Sequence, residues 1–162
     1  MKKLILTTLL ALGLAACSEP QSNARAVYLL LDTSGTYTAE MDKAQKIINY
    51  LLGTLDSGDS IAIARIDSGS FSEKDIIARV TFDDRPSTAN QQKRAFKDQI
   101  DDFVDGTGRG SRHTDITGGM LQASEYLEET GAGEKYVLIF SDLEEDLKKG
   151  HIRDFPISLP DI

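Results

Sequence analysis

Ala26-Val27-Tyr28-Leu29-Leu30-Leu31 runs without a break into Asp32-Thr33-Ser34-Gly35-Thr36, and this junction sets the architecture expected for the whole chain. Six consecutive apolar residues bounded by a turn signal read as a strand buried on both faces, the kind found in parallel sheets. A carboxylate and hydroxyls then meet at that strand's carboxyl end. Alternate residues of an extended chain point the same way, so Asp32, Ser34 and Thr36 can converge on one point, with Gly35 relaxing the backbone between them. Small hard oxygen ligands of this kind suit Mg2+ or Mn2+. The string alone is weak, because Asp, Ser and Gly also fill ordinary turns and helix caps.

Working outward, Met41, Ala44, Ile48, Leu51, Leu52 and Leu55 recur at helical spacing and predict an amphipathic helix that closes near Gly53 to Gly58. Ile61 to Ile66 predicts a second strand. Ile76 to Phe82 alternates and predicts a third, antiparallel to its neighbour, because residues 67–75 are too few for a crossover helix. Pro86 and Ser87 open a helix whose stripe is Phe96, Ile100 and Phe103, and the glycine run 106–110 breaks it. That run has neither G-x-G-x-x-G spacing nor a G-K-[ST] ending, so neither a dinucleotide site nor a P-loop is supported. Ile116, Met120, Ala123 and Leu127 form the next helical stripe, with Asp115 as its N-cap. Tyr136 to Phe140, inside Lys135 to Ser141, predicts a final strand, expected to be fully buried. The predicted order is β-α-β-β-α-α-β in one core of ~138 residues.

Two further segments end where the first does, at the carboxyl edge of the sheet: Thr114 in Ser111-Arg112-His113-Thr114-Asp115, and Asp142 in Phe140-Ser141-Asp142. With them the chain resembles the von Willebrand factor A (vWA) domain family, whose metal-ion-dependent adhesion site joins a D-x-S-x-S loop to a loop Thr and a later strand-end Asp. The resemblance covers residues 25–162. It implies an α/β, Rossmann-like fold with a central, mostly parallel sheet, one antiparallel edge strand and helices on both faces. It also implies a metal set of Asp32, Ser34, Thr36, Thr114 and Asp142 around Mg2+ or Mn2+, and a protein ligand that offers an Asp or Glu carboxylate. Thr36 stands where the family more often has Ser, which keeps the hydroxyl. After Asp142 the family usually has Gly, whereas this chain has Leu143-Glu144-Glu145-Asp146.

The resemblance also implies two more strands with their helices, and Leu143 to Ile162 offers no complete strand–helix pair. The last strands are therefore expected to be missing. Three explanations stay open: a truncated family member, a partner covering the last strand's edge, or a marginally stable domain.

Lys2 and Lys3 precede an apolar segment, Leu4 to Leu12, and Leu14-Ala15-Ala16-Cys17 resembles a bacterial lipobox. Residues 1–16 thus read as a lipoprotein signal peptide, Cys17 as the lipidated residue, and residues 17–24 as a tether to the membrane. Cys17 is the only cysteine, so no internal disulfide can form. Ser18 after it, rather than Asp, resembles the sorting pattern of Gram-negative outer-membrane lipoproteins, which implies a bacterial cell-envelope protein held at the outer membrane and facing the periplasm. Loss of residues 1–16 removes two lysines and no acid, which takes the net charge from −8 to −10. Such a surface repels nucleic acid, and no nucleic-acid partner is expected.

An enzyme is not expected. The D-x-D-x-T loop of haloacid dehalogenase-type phosphatases resembles residues 32–36, but Ser34 replaces the Asp that serves there as general acid and base. G-x-S-x-G is absent, and two histidines, His113 and His151, are too few for a zinc site. The sequence thus points to a lipid-anchored, metal-dependent protein-binding module. A metal-free envelope scaffold is the alternative, and a metal-dependent phosphohydrolase a more distant one.

Overall fold

A computed structural model describes residues 22–33, 41–67, 73–106, 113–144 and 146. The elements are β1 (Arg25–Asp32), α1 (Met41–Thr54), β2 (Ser60–Ile66), a short 3-10 turn (Glu73–Asp75), β3 (Ile76–Thr81), α2 (Pro86–Gly106), α3 (Ile116–Glu129) and β4 (Glu134–Phe140). Their order is the one the sequence predicts. Residues 1–21, 34–40 and 147–162, which hold the expected signal peptide, Ser34, Thr36 and the place of the expected missing strands, lie outside the described residues.

The four strands form one mixed sheet in the order β3-β2-β1-β4. β1 runs parallel to both β2 and β4, and β3 pairs antiparallel with β2, as the short connection before it requires. Because β1 is central, its side chains are buried on both sides of the sheet. Val27, Leu29 and Leu31 pack with Met41, Ala44, Ile48 and Leu52 of α1 and with Phe96 and Ile100 of α2. Ala26, Tyr28 and Leu30 pack on the opposite face with Ala123 and Leu127 of α3. A strand covered by helices on both faces has no use for polar alternation, which is why β1 reads as an unbroken apolar run.

The helices form where their apolar residues recur. Met41, Ala44, Ile48 and Leu52 put one buried stripe on α1. Pro86 occupies the first position of α2, where its fixed φ suits the helix and its missing N–H goes unused. Asp115 caps α3, its Oδ1 accepting from Gly118 N at 2.8 Å. α3 lies close on the sheet at Gly119: an added Cβ would stand 2.9 Å from Leu30 Cδ2. This contact fixes the N-terminus of α3 beside the carboxyl half of β1.

β4 departs from expectation. Its apolar run predicts full burial, yet Glu134 to Tyr136 are exposed and Val137 to Phe140 are only half-buried. The reason is position, since β4 has β1 on one side and no strand on the other among the described residues. An apolar run looks the same in a central strand and in an edge strand.

Candidate functional site at the carboxyl edge of the sheet

The site is built around Asp32, the last residue of β1, which is only 1% exposed. A buried carboxylate needs hydrogen-bond partners, and the neighbouring parallel strand brings one. Leu31 pairs with Phe140, so the next residues, Asp32 and Ser141, come side by side past the strand ends. Ser141 Oγ donates to Asp32 Oδ2 at 3.0 Å. On the other flank Thr33, also buried, directs its hydroxyl to the carbonyl of Ile66 at the end of β2. Hydroxyl-bearing residues thus flank the carboxylate along the edge.

Thr114 is buried and precedes α3. Its backbone pairs reciprocally with Asp146, Thr114 N donating to Asp146 O at 2.9 Å and Asp146 N to Thr114 O at 3.0 Å. The Thr114 loop is thereby stitched to the segment that leaves β4. His113 Nδ1 lies 3.4 Å from Asp146 Oδ2, on the same stitch.

Asp142 is exposed, and its Oδ1 accepts from the backbone N–H of Glu144 at 2.9 Å. It therefore shapes its own turn, while the hydrogen bond to Asp32 comes from Ser141. Asp115 is a helix cap, as its position before the stripe of α3 predicts. Sequence reasoning missed Ser141, and the available signal was the alignment of two parallel strand ends, which sets residue 141 beside residue 32.

The turn after β4 holds one unusual backbone. Leu143 has φ +64°, the left-handed region that disfavours residues with a Cβ, and its N–H donates to Ser141 Oγ at 3.1 Å. The conformation here is one that glycine adopts freely. The Leu143 side chain is 64% exposed and contributes little packing. Leu143→Gly is accordingly expected to leave stability unchanged or raise it by up to ~1 kcal/mol, relief of strain being partly cancelled by the greater freedom of the unfolded chain. Urea unfolding checks this, and a loss above ~1 kcal/mol would mean that the leucine side chain holds the turn.

The donors gathered here are hard oxygens, which fit Mg2+ or Mn2+ rather than zinc. Among the described residues no three His, Cys, Asp or Glu side chains cluster as a metal-binding group. An ion at this edge would depend on hydroxyl oxygens, with Asp32 as the buried carboxylate. No protein-family model matches the chain, and no curated protein matches it at a significant level.

Proposed function

We propose that this chain is a lipid-anchored, divalent-metal-dependent protein-binding module of the bacterial cell envelope, with a site of the vWA type at the carboxyl edge of its sheet. One observation carries the reading. Asp32 is a buried carboxylate at the end of the central strand, hydrogen-bonded by Ser141 from the adjacent parallel strand, at the edge where open α/β sheets place their ligand sites. Ser34, Thr36 and Thr114 offer hydroxyl oxygens to the ion, and Asp32 and Asp142 act through hydrogen bonds and water. When bound, Mg2+ or Mn2+ supplies an electrophilic position for a carboxylate oxygen from an Asp or Glu of the partner. The chemistry is recognition, so no bond of the partner is broken. Cys17 carries the lipid anchor, and Ser18 places the module at the outer membrane, facing the periplasm.

A metal-free scaffold is the second reading, and it is favoured by the half-buried apolar side chains Val137 to Phe140 of β4, beside which no further strand lies among the described residues. Capture of envelope proteins by the immobilised chain separates the two. The metal-dependent reading predicts that a partner retained in Mg2+ is released by EDTA and recovered when Mg2+ is restored. Retention that ignores EDTA would replace it with the scaffold reading.

A further inference from the structure

On the face of the sheet that α3 covers, a cleft of about 220 Å3 opens between α3 and β3. α3 packs chiefly over β1, β2 and β4, and the cleft lies between it and β3. A more open hollow of about 360 Å3 adjoins it and shares Arg79, Tyr126 and Glu129; the more enclosed part, at Gln122, suits a molecule of few heavy atoms.

The floor holds an incompletely satisfied group. Gln122 is 7% exposed, and its Oε1 accepts from the buried Tyr28 hydroxyl at 2.9 Å. Gln122 lines the cleft, and no hydrogen bond of its amide nitrogen is found among the described residues. Buried polar groups are normally paired, so this amide calls for an acceptor. Tyr126 forms one wall, its ring 5.5 Å from that of Tyr28.

The rim carries charge that the fold does not need. Glu125 and Glu129 stand four residues apart on α3, a spacing at which like charges destabilise a helix. Neither has an ion-pair partner among the described residues. Glu73 also lines the cleft, and Arg79, 3.8 Å from it, is the one cation among the described lining residues. A local rule broken without structural gain marks a place where function is served.

We propose that this cleft binds a small zwitterion of the amino-acid class, its carboxylate taken by Gln122 Nε2 and Arg79 and its ammonium by Glu125 and Glu129. Each half of such a ligand meets groups of opposite polarity, and the Tyr126 ring lies beside the cation. The cleft shares no residue with the Asp32 site.

The test is an NMR titration of the purified protein with glycine, L-alanine and L-glutamine, following the side-chain amide signals of Gln122. Acetate and methylammonium serve as the separate halves. At least one amino acid is expected to move the Gln122 signals saturably and to bind at least tenfold more tightly than either half. Arg79→Gln and Glu129→Gln, both surface changes, are each expected to weaken that binding at least tenfold at unchanged melting temperature. The proposal is overturned if no amino acid moves the Gln122 signals, if either half binds as well as the whole, or if both variants bind like the unmodified protein.

Discussion

A variant carrying Ser34→Ala and Thr36→Ala is expected to lose at least a hundredfold in Mg2+ affinity while melting at the same temperature as the unmodified chain in metal-free buffer. The two hydroxyls are proposed as direct ligands, and Mg2+ tolerates little departure from a complete set of oxygen donors. They follow in sequence a strand whose residues Val27 to Leu31 make the core contacts with α1, α2 and α3, so the fold is expected not to depend on the two hydroxyls. A ligand that binds only the folded state stabilises it by about 2.7 kcal/mol at a hundred times its Kd. Raising Mg2+ should therefore lift the melting temperature of the unmodified protein and leave that of the variant where it was. An equal rise in both would remove Ser34 and Thr36 from the site.

The second large effect lies at the opposite end of the sheet. Asp59 is 3% exposed just before β2, and four donors converge on its carboxylate. These are Arg25 N at 2.8 Å, Arg25 Nε at 3.0 Å, Arg25 Nη2 at 2.6 Å and Asp56 N at 2.8 Å. The backbone of Asp59 also accepts from Phe82 N at 2.8 Å, so one residue ties the starts of β1 and β2 to the end of β3. Asp59→Ala strands a guanidinium whose remaining hydrogen-bond partners among the described residues are Thr54 O and Asp56. Breaking a fully buried ion pair by removing one partner costs ~3–5 kcal/mol, and with Arg25 partly exposed the expected loss is about 2–4 kcal/mol.

The pH dependence follows from the same contacts. Burial pushes the Asp59 carboxyl up, but the N–H groups of Arg25 and Asp56 and the Arg25 guanidinium outweigh it and hold it below its ordinary value. A carboxyl lowered in the folded state contributes stability that is present above its unfolded pKa of ~3.9 and is lost as pH falls through the lower folded value. The gap between the unmodified chain and Asp59→Asn in urea unfolding should therefore be full at pH 7 and shrink below about pH 4. A loss under ~1 kcal/mol for Asp59→Ala, or a gap indifferent to acid, would mean that the Arg25–Asp59 contact is not held in solution.

Local pattern made much of this legible in the sequence. Six apolar residues before Asp32 suffice to place a strand there, the stripe from Met41 to Leu52 suffices for α1, and the short stretch before Ile76 suffices to turn β3 antiparallel. Asp115 as a cap follows from its place before a helical stripe. Relations that depend on register or long range were not legible. Ser141 meets Asp32 only because Leu31 pairs with Phe140 across 109 residues of chain, Arg25 finds Asp59 across 34, and Tyr28 finds Gln122 across 94. No periodicity announces any of these contacts. The half-burial of β4 was hidden for a related reason, because exposure depends on what lies beyond the strand and not on its own residues. The left-handed Leu143 was hidden because leucine is a poor signal for a conformation that glycine usually marks.

At the candidate site the same division holds. Asp32 at a strand end and Thr114 before a helix follow from element boundaries. The part played by Asp142 depends on how the turn after β4 folds, and that turn gives Ser141 the bond to Asp32 and keeps the Asp142 carboxylate for the N–H of Glu144.

The most direct test of the metal-dependent reading is an electron paramagnetic resonance titration of Mn2+ into the purified protein, where bound ion loses the signal of free Mn2+. The expected result is saturable binding of one ion per chain, displaced by excess Mg2+ and absent from the Ser34→Ala, Thr36→Ala variant. A folded protein that leaves the free Mn2+ signal undiminished would contradict the proposed site.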